Sequence, residues 1–203
     1  MKKWMSLFDL CPIRPSVQKE RAARITAMSY LRDCQDKEQR MEKQLLNTGE
    51  YILLRGKDSY NGLLQRIETN PVNRITGRAI MDLYNSVPKS YRKNAVFLMN
   101  TVTLNELSRS LGMDRNLLSG RDDGTFMLMD QPIVLCNAMP FISKGSVPIL
   151  FGDFGKVSIE DCGRDELQQE PCEGNPGTQQ YTLTGYMDCM LEEQLAVRGI
   201  KIV

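Results

Sequence analysis

The stretch Pro148-Ile-Leu-Phe-Gly-Asp-Phe-Gly-Lys156, following closely on Gly124-Thr-Phe-Met-Leu-Met-Asp-Gln-Pro-Ile-Val-Leu135, decides the fold class of this chain. Both stretches are short apolar runs closed by Gly, Asp and Pro, the residues that end strands and start turns. They hold no histidine, no paired ligands and no phosphate-binding loop. The best-marked part of the chain is therefore architectural.

Working outward, the same signal repeats. Phe126–Met129, Ile133–Cys136, Ile149–Phe151, Val157–Ile159, Tyr181–Leu191 and Leu195–Val203 read as strands. Between the fourth and fifth lies a Gly/Pro-rich segment, Cys162–Gln180, which reads as a long mobile loop. Upstream, Ala95–Met99 is a continuous apolar run suited to a strand buried on both faces. Thr76 caps a helix running to Ser86, with Ile80, Leu83, Tyr84 and Val87 inward and Pro88 as its stop. A further helix begins at Thr103, where Thr103-x-x-Glu106 matches a capping box; Leu104, Leu107 and Leu111 point inward and Gly112 closes it. Asp122-Asp-Gly124 reads as a turn.

Nearer the N-terminus, Ala22, Ile25, Met28, Leu31 and Cys34 step by three, and Met41 and Leu45 resume the stripe. With charges on the other faces, this predicts one long amphipathic helix over 19–46, ended by Asn47-Thr48-Gly49. At about 1.5 Å per residue it would reach about 40 Å. Tyr51–Leu54 reads as a short strand, and Asn70-Pro71 as a boundary between lobes. Residues 1–18 form an arm in which Pro12 and Pro15 oppose helix, while Trp4, Leu7, Phe8 and Leu10 need a surface, on this chain or on a neighbour. A long helix, a mixed middle and then strands argue an α+β fold.

Composition narrows the chemistry. The chain has 203 residues, enough to bury a core without metal or disulfide support. Its formal charge of +1 gives no overall pull toward nucleic acid or anionic lipid. It contains no histidine, the commonest general base and metal ligand near neutrality. Cys11, Cys34, Cys136, Cys162, Cys172 and Cys189 form no C-x-x-C pair and read mostly as reduced, buried small hydrophobes. Cys162 and Cys172 flank a loop and would bridge only in an oxidising setting, for which the N-terminus offers no export signal. No window is long enough to span a bilayer, so no membrane partner is expected.

No chemical constellation emerges. Asp122 and Asp123 lack the spacing of a calcium loop. Asp153 shares letters with a kinase motif but none of its companions. Ser59, Ser108 and Ser119 lie in no nucleophile elbow. Glu192 and Glu193 are adjacent, so in a strand they face opposite sides. No catalytic, cofactor-binding or metal residue is expected, and no enzyme activity. The competing class, a small-ligand enzyme with 162–180 as a lid, needs a convergent polar pocket that the sequence does not offer.

Five words in one order carry a resemblance. They are Leu83-Tyr-Asn-Ser-Val-Pro-Lys-Ser-Tyr-Arg-Lys-Asn-Ala-Val-Phe-Leu-Met-Asn100, the segment Thr103–Gly112, Gln131-Pro-Ile-Val-Leu135 leading into Asn137-Ala-Met-Pro140, then Ile149-Leu-Phe-Gly-Asp-Phe154, and a closing strand pair with Ala196-Val-Arg198 near its turn. Together they resemble the C-terminal half of a tailed-bacteriophage major capsid protein of the Hong Kong 97 type. Leu45-Leu46-Asn47-Thr48-Gly49 and Gly62-Leu63-Leu64 extend the resemblance over about residues 19–203.

The resemblance implies a shell subunit with a spine helix and peripheral lobe over 19–70, an axial lobe over 71–165, and a return to the peripheral lobe over 166–203. It implies copies of the same chain as partners, in hexamers and pentamers or small rings. It places the chain in the virion capsid, and in the bacterial cytoplasm before assembly. Contact with packaged DNA would be non-specific, through Arg21, Arg24 and Arg32. Family members carry a long N-terminal arm and an extended loop before the spine helix. Only about eighteen residues precede it here, so most of both is expected to be missing, as in a truncated or split subunit that assembles weakly. Some members form a lysine–asparagine isopeptide bond aided by a glutamate. Glu192 and Glu193 fall in the comparable stretch, but Thr184, Gly185 and Tyr186 stand where the asparagine would, so no cross-link is expected. An encapsulin-like compartment shell shares the fold and is the alternative.

Overall fold

The computed structural model describes residues 5–32, 36–110, 118–120, 124–172 and 178–203. In chain order the elements are α1 (Leu7–Leu10), β1 (Ile13–Pro15), a 3-10 turn (Lys19–Arg21), β2 (Ala23–Arg32), α2 (Lys37–Arg55), α3 (Leu63–Arg66), β3 (Thr69–Val72), α4 (Gly77–Ser86), α5 (Lys89–Arg92), β4 (Val96–Met99) and α6 (Thr101–Ser110). They continue with β5 (Leu118–Gly120), β6 (Phe126–Leu128), β7 (Gln131–Leu135), β8 (Ile149–Gly152), a 3-10 turn (Phe154–Lys156), β9 (Val157–Arg164), β10 (Gln168–Pro171), β11 (Thr178–Leu191) and β12 (Val197–Ile202).

The opening stretches form the middle of a seven-stranded sheet ordered β3-β12-β8-β4-β7-β6-β5. Side chains alternate across a strand, and here both faces are buried. Phe97, Met99, Ile133, Leu135, Ile149 and Phe151 enter one cluster, covered by Ile80, Leu83, Leu104 and Leu107 of α4 and α6. Val96, Leu98, Val134 and Leu150 point the other way, into a second cluster with Leu53 and Leu54 of α2. Phe97 stacks on Phe151 at 4.3 Å and Phe151 on Tyr84 at 5.4 Å. Gly152 ends β8 at φ +156, between β4 and β12, where a Cβ would lie 2.1 Å from the Ala196 carbonyl oxygen. Only glycine fits that approach.

The second sheet is built around β11. On one side β2 pairs antiparallel along ten residues, from Thr178↔Arg32 to Met187↔Ala23. On the other side lie β9 and then β10, with a register shift between Gly185 and Met187. β1 extends the sheet in parallel beside β9. Helix α2 lies beneath, placing Met41, Leu45 and Leu53 in one core with Ile25, Ala27, Tyr181 and Met187. The helix and sheet approach closely at two glycines. A Cβ on Gly185 would stand 2.8 Å from Leu45 Cδ2, and one on Gly49 would stand 3.2 Å from Ile25 Cδ1.

The α+β class holds, and so do the helix at Thr76, whose hydroxyl accepts from the Ala79 N–H at 3.2 Å, and the buried strand at Val96–Met99. The spine helix is real but shifted: the expected helix over 19–46 is a strand, β2, followed by a helix that runs on to Arg55. Ala23, Ile25 and Ala27 are buried while Arg24, Thr26 and Met28 are exposed, a period of two that the step of three overlapped. Asn47-Thr48-Gly49 does not end the helix. The end is Gly56 at φ +78, whose N–H reaches the Ile52 carbonyl at 2.8 Å. Tyr51–Leu54 is therefore helical, because its apolar residues continue the buried face of Met41 and Leu45.

Asn70-Pro71 lies inside β3, an edge strand that tolerates a proline. α6 starts at Thr101, and its cap is Asn100: Thr103 N–H donates to Asn100 Oδ1 at 2.7 Å. The described residues of Cys162–Gln180 contain the end of β9, all of β10 and the start of β11, so most of them are strand where a mobile loop was expected; residues 173–177 lie outside the described residues. β11 gives those polar residues a ladder to join. Asp122, Asp123, Leu111 and Gly112 lie outside the described residues.

Candidate assembly surfaces

The cavities are open and shallow. One, of about 510 Å³, is lined by Gln18, Arg21, Tyr60, Arg66, Asp188 and Met190 among others. Its floor is a satisfied polar network. Arg66 pairs with Asp188 at 2.9 Å and donates to the Cys189 carbonyl. Tyr60 donates to Asp188 at 2.9 Å and accepts from the Cys189 N–H at 3.0 Å. Burial, with Asp188 beside it, pushes the Tyr60 hydroxyl well above its ordinary value, so it stays protonated. This network ties α3 to β11; it presents no poised acid or base.

The buried cysteines are chemically quiet. Burial pushes the Cys189 thiol up to about 12. Burial, reinforced by Glu50, pushes Cys136 up to about 12. Burial also raises Cys11, with Cys189 adding to it. Raised values keep sulfur as the thiol, the opposite of an activated nucleophile. Cys162 points its sulfur at the Gln18 carbonyl, 3.7 Å away, and does not bridge to Cys172. Among the described residues no group of three or more Cys, Asp or Glu is placed to hold a metal ion, and no helix is long and apolar enough to cross a membrane.

The residues weighed for chemistry are scattered into structural roles. Asp153 accepts from the Gly155 N–H at 3.0 Å and caps a 3-10 turn. Ser108 donates to the Leu104 carbonyl within α6. Ser59 sits at the rim of the recess and Ser119 on β5. Glu192 lies past the end of β11 and pairs with Arg14 at 2.8 Å, while Glu193 shares the tight turn before β12.

The N-terminal segment folds onto its own chain. Leu7 is fully buried, and its N–H donates to Glu50 Oε1 at 2.5 Å. Met5 N–H reaches the Leu135 carbonyl at 3.3 Å, and β1 joins β9. Glu50 is held above the usual carboxylate range, because burial outweighs its hydrogen bonds from Leu7 and Cys136.

What remains exposed is apolar side chain and sheet edge. Val17, Met28, Tyr30, Val102 and Phe141 stand at the surface. Among the described residues β2, β3 and β5 each pair on one side only. The strand β2 escaped the sequence reading; the alternation of Ala23, Ile25 and Ala27 with Arg24, Thr26 and Met28 was the signal that could have found it. The Tyr60–Arg66–Asp188 network also escaped it, since nothing local marks residues 128 positions apart as partners.

Three solved structures illustrate the fold's relatives. The capsid of an empty GTA particle is 15% identical with a TM-score of 0.69, covering 100% of this chain and 91% of that one. The capsid of a native GTA particle is 17% identical with a TM-score of 0.64, covering 90% and 73%. The holo-SrpI encapsulin complex from Synechococcus elongatus PCC 7942 is 15% identical with a TM-score of 0.60, covering 90% and 74%. No curated protein matches the chain. The model of the phage capsid family matches residues 39–192, from the start of α2 to the end of β11. Two sheets sharing cores and a family match over most of its length lead to one conclusion: the chain belongs to the phage capsid family and is a structural capsid subunit.

Proposed function

We propose that this subunit builds a closed icosahedral shell from copies of itself, as a component of a phage or prophage virion, after folding in the host cytoplasm. The observation that supports this is the division of the molecule. Its interior is predominantly apolar on both faces of the seven-stranded sheet, while its polar edges and scattered apolar side chains are left at the rim. A subunit with unlike rims makes heterologous contacts, and contacts that close give rings and shells. In this reading residues 71–165 form the axial lobe at the symmetry centres, and 19–70 with 166–203 form the peripheral lobe. Packaged DNA would meet Arg21 and Arg24 through phosphate attraction alone.

Electron microscopy of the purified chain at tens of micromolar tests the shell. Uniform closed particles are the expected result, in place of the weak assembly that the short N-terminal segment suggested, because the chain spans 91% of the empty GTA particle's capsid chain; a chain that stays monomeric overturns it. The encapsulin likeness supports a second reading, a compartment around protein. Nuclease-protected DNA in particles from the native host supports the virion, and a co-purifying protein cargo in its place supports the compartment.

A further inference from the structure

Building on that shell reading, we infer that the outer edge of β2 is a pairing surface for β2 of a second copy, related to it by a twofold axis. β2 is ten residues long, about 33 Å of strand. Among the described residues it pairs with β11 alone.

Two hydrogen bonds fix which groups face outward. The Thr184 carbonyl accepts from the Asp165 N–H at 2.8 Å, so it points away from β2. Thr184 stands opposite Thr26. In an antiparallel ladder, partners whose groups turn away from each other both point outward. The backbone of Thr26 is thus on the free edge, and so is that of every second residue: Arg24, Met28 and Tyr30. Independently, Gln44 Nε2 reaches the Met28 carbonyl at 2.8 Å from α2, covering one outward acceptor.

Apart from the charge of Arg24, the rest of that edge has no protection of its own. Edges are commonly blunted by proline, lysine or a bulge. β3 carries Pro71, but Ala23–Arg32 has no proline or lysine and keeps regular register with β11. Its exposed side chains include Met28 at 47% and Tyr30 at 58% exposure.

The sequence also selects the partner and the register. A twofold through Ala27 places Arg24 opposite Tyr30, and Thr26 opposite Met28, in both halves of the pair. Arginine beside an aromatic ring and threonine beside methionine are favourable neighbours across strands. The edge is self-complementary in that register. Gln44 caps the Met28 carbonyl in the single chain and yields it when a second strand arrives.

The test uses the full chain with Cys172→Ser, which removes a half-exposed native thiol, and Cys34→Ser, which removes the cysteine that follows β2 in sequence. Thr26→Cys and Met28→Cys are made separately, mixed under assembly conditions and oxidised with oxidised glutathione. One disulfide forms as two glutathiones are released. The expected product is a cross-linked pair in the mixture and little in either variant alone. In parallel, Thr26→Pro removes an outward N–H and the Thr26 hydroxyl, which lies 3.4 Å from that of Thr184. It should lower stability to urea no more than Thr26→Ala does while weakening self-association by at least roughly tenfold. Should the proline variant fail to fold, the cysteine mixture decides alone. Cross-linking of Met28→Cys by itself overturns the register. Well-formed shells with no cross-link overturn the strand pairing and leave the shell reading standing. An unsubstituted chain that stays monomeric overturns both.

Discussion

Replacing Gly152 by alanine isolates the contact on which the central sheet closes. An alanine Cβ at 152 would stand 2.1 Å from the Ala196 oxygen and 2.6 Å from the Val197 Cα. Both are backbone atoms of the turn and strand that pair with β8, so no rotamer relieves the clash. Gly152 also faces Val96 of β4 across the other side, which prevents β8 from sliding away. The change must break the Val197↔Gly152 register, together with the Asp153 N–H to Ala196 bond at 3.0 Å. A residue forced into a glycine-only region costs about 1–3 kcal/mol, and a lost ladder contact adds about 1 kcal/mol or more. The expected loss is about 3–5 kcal/mol by urea unfolding, or roughly 6–20 °C in Tm for a domain of this size. Gly124→Ala is the control. It has φ +79 with nothing within 4 Å of its Cβ, so it carries conformational strain alone, about 1–2 kcal/mol. If Gly152→Ala costs no more than Gly124→Ala, the turn before β12 yields freely and the packing argument is wrong.

Three further outcomes follow from named contacts. Asp188→Ala leaves Arg66 without its carboxylate and Tyr60 without its acceptor; stability should fall by about 3 kcal/mol in chemical denaturation, and Tyr60→Phe by about 1–2 kcal/mol. Thr103 Oγ1 is buried without a hydrogen-bond partner. Thr103→Val should therefore be neutral or stabilising by up to about 1 kcal/mol, whereas Asn100→Ala, which removes the cap of α6 and the bonds to the Met139 and Pro140 carbonyls, should cost about 2 kcal/mol or more. Glu50 has a raised folded value, so the folded state holds its proton more tightly than the unfolded state. Its contribution is present below the ordinary carboxylate range and is lost as pH rises through the folded value. Unfolding curves at about pH 4 and about pH 8 should show the unsubstituted chain losing stability relative to Glu50→Gln as pH rises; parallel behaviour of the two would remove Glu50 as the cause.

The legible part of this fold was the part with local causes. Val96–Met99 is buried on both faces and reads as a continuous apolar run. Thr76 needs only its own next three residues to cap a helix. The Gly-Asp word after β8 marks a turn wherever it occurs. The illegible part has causes that lie far away in sequence. Residues 23–32 satisfy a step of three well enough to suggest helix; what makes them a strand is β11, roughly 150 positions later, which offers a ladder, with α2 as the helix to bury Ile25 against. The same strand organises Gln168–Pro171, whose exposed polar residues have no strand signal of their own. Asn100 displaced Thr103 as a cap because it also reaches two carbonyls at 139 and 140, a tertiary bond that no local motif encodes.

That division also explains why the function was legible as a resemblance and not as a site. An enzyme concentrates its function in a few side chains whose types and spacing constrain the chemistry. A shell subunit spreads it over edges and rims, where each contact is modest and the sum over many copies matters. Such contacts place weak demands on residue identity and strong demands on which backbone groups are left unpaired. β2 illustrates the point. Its significance lies in N–H and C=O groups that every residue carries, so no composition or motif could announce it. Only the register with β11, and the Thr184 carbonyl turned toward Asp165, show that those groups face outward.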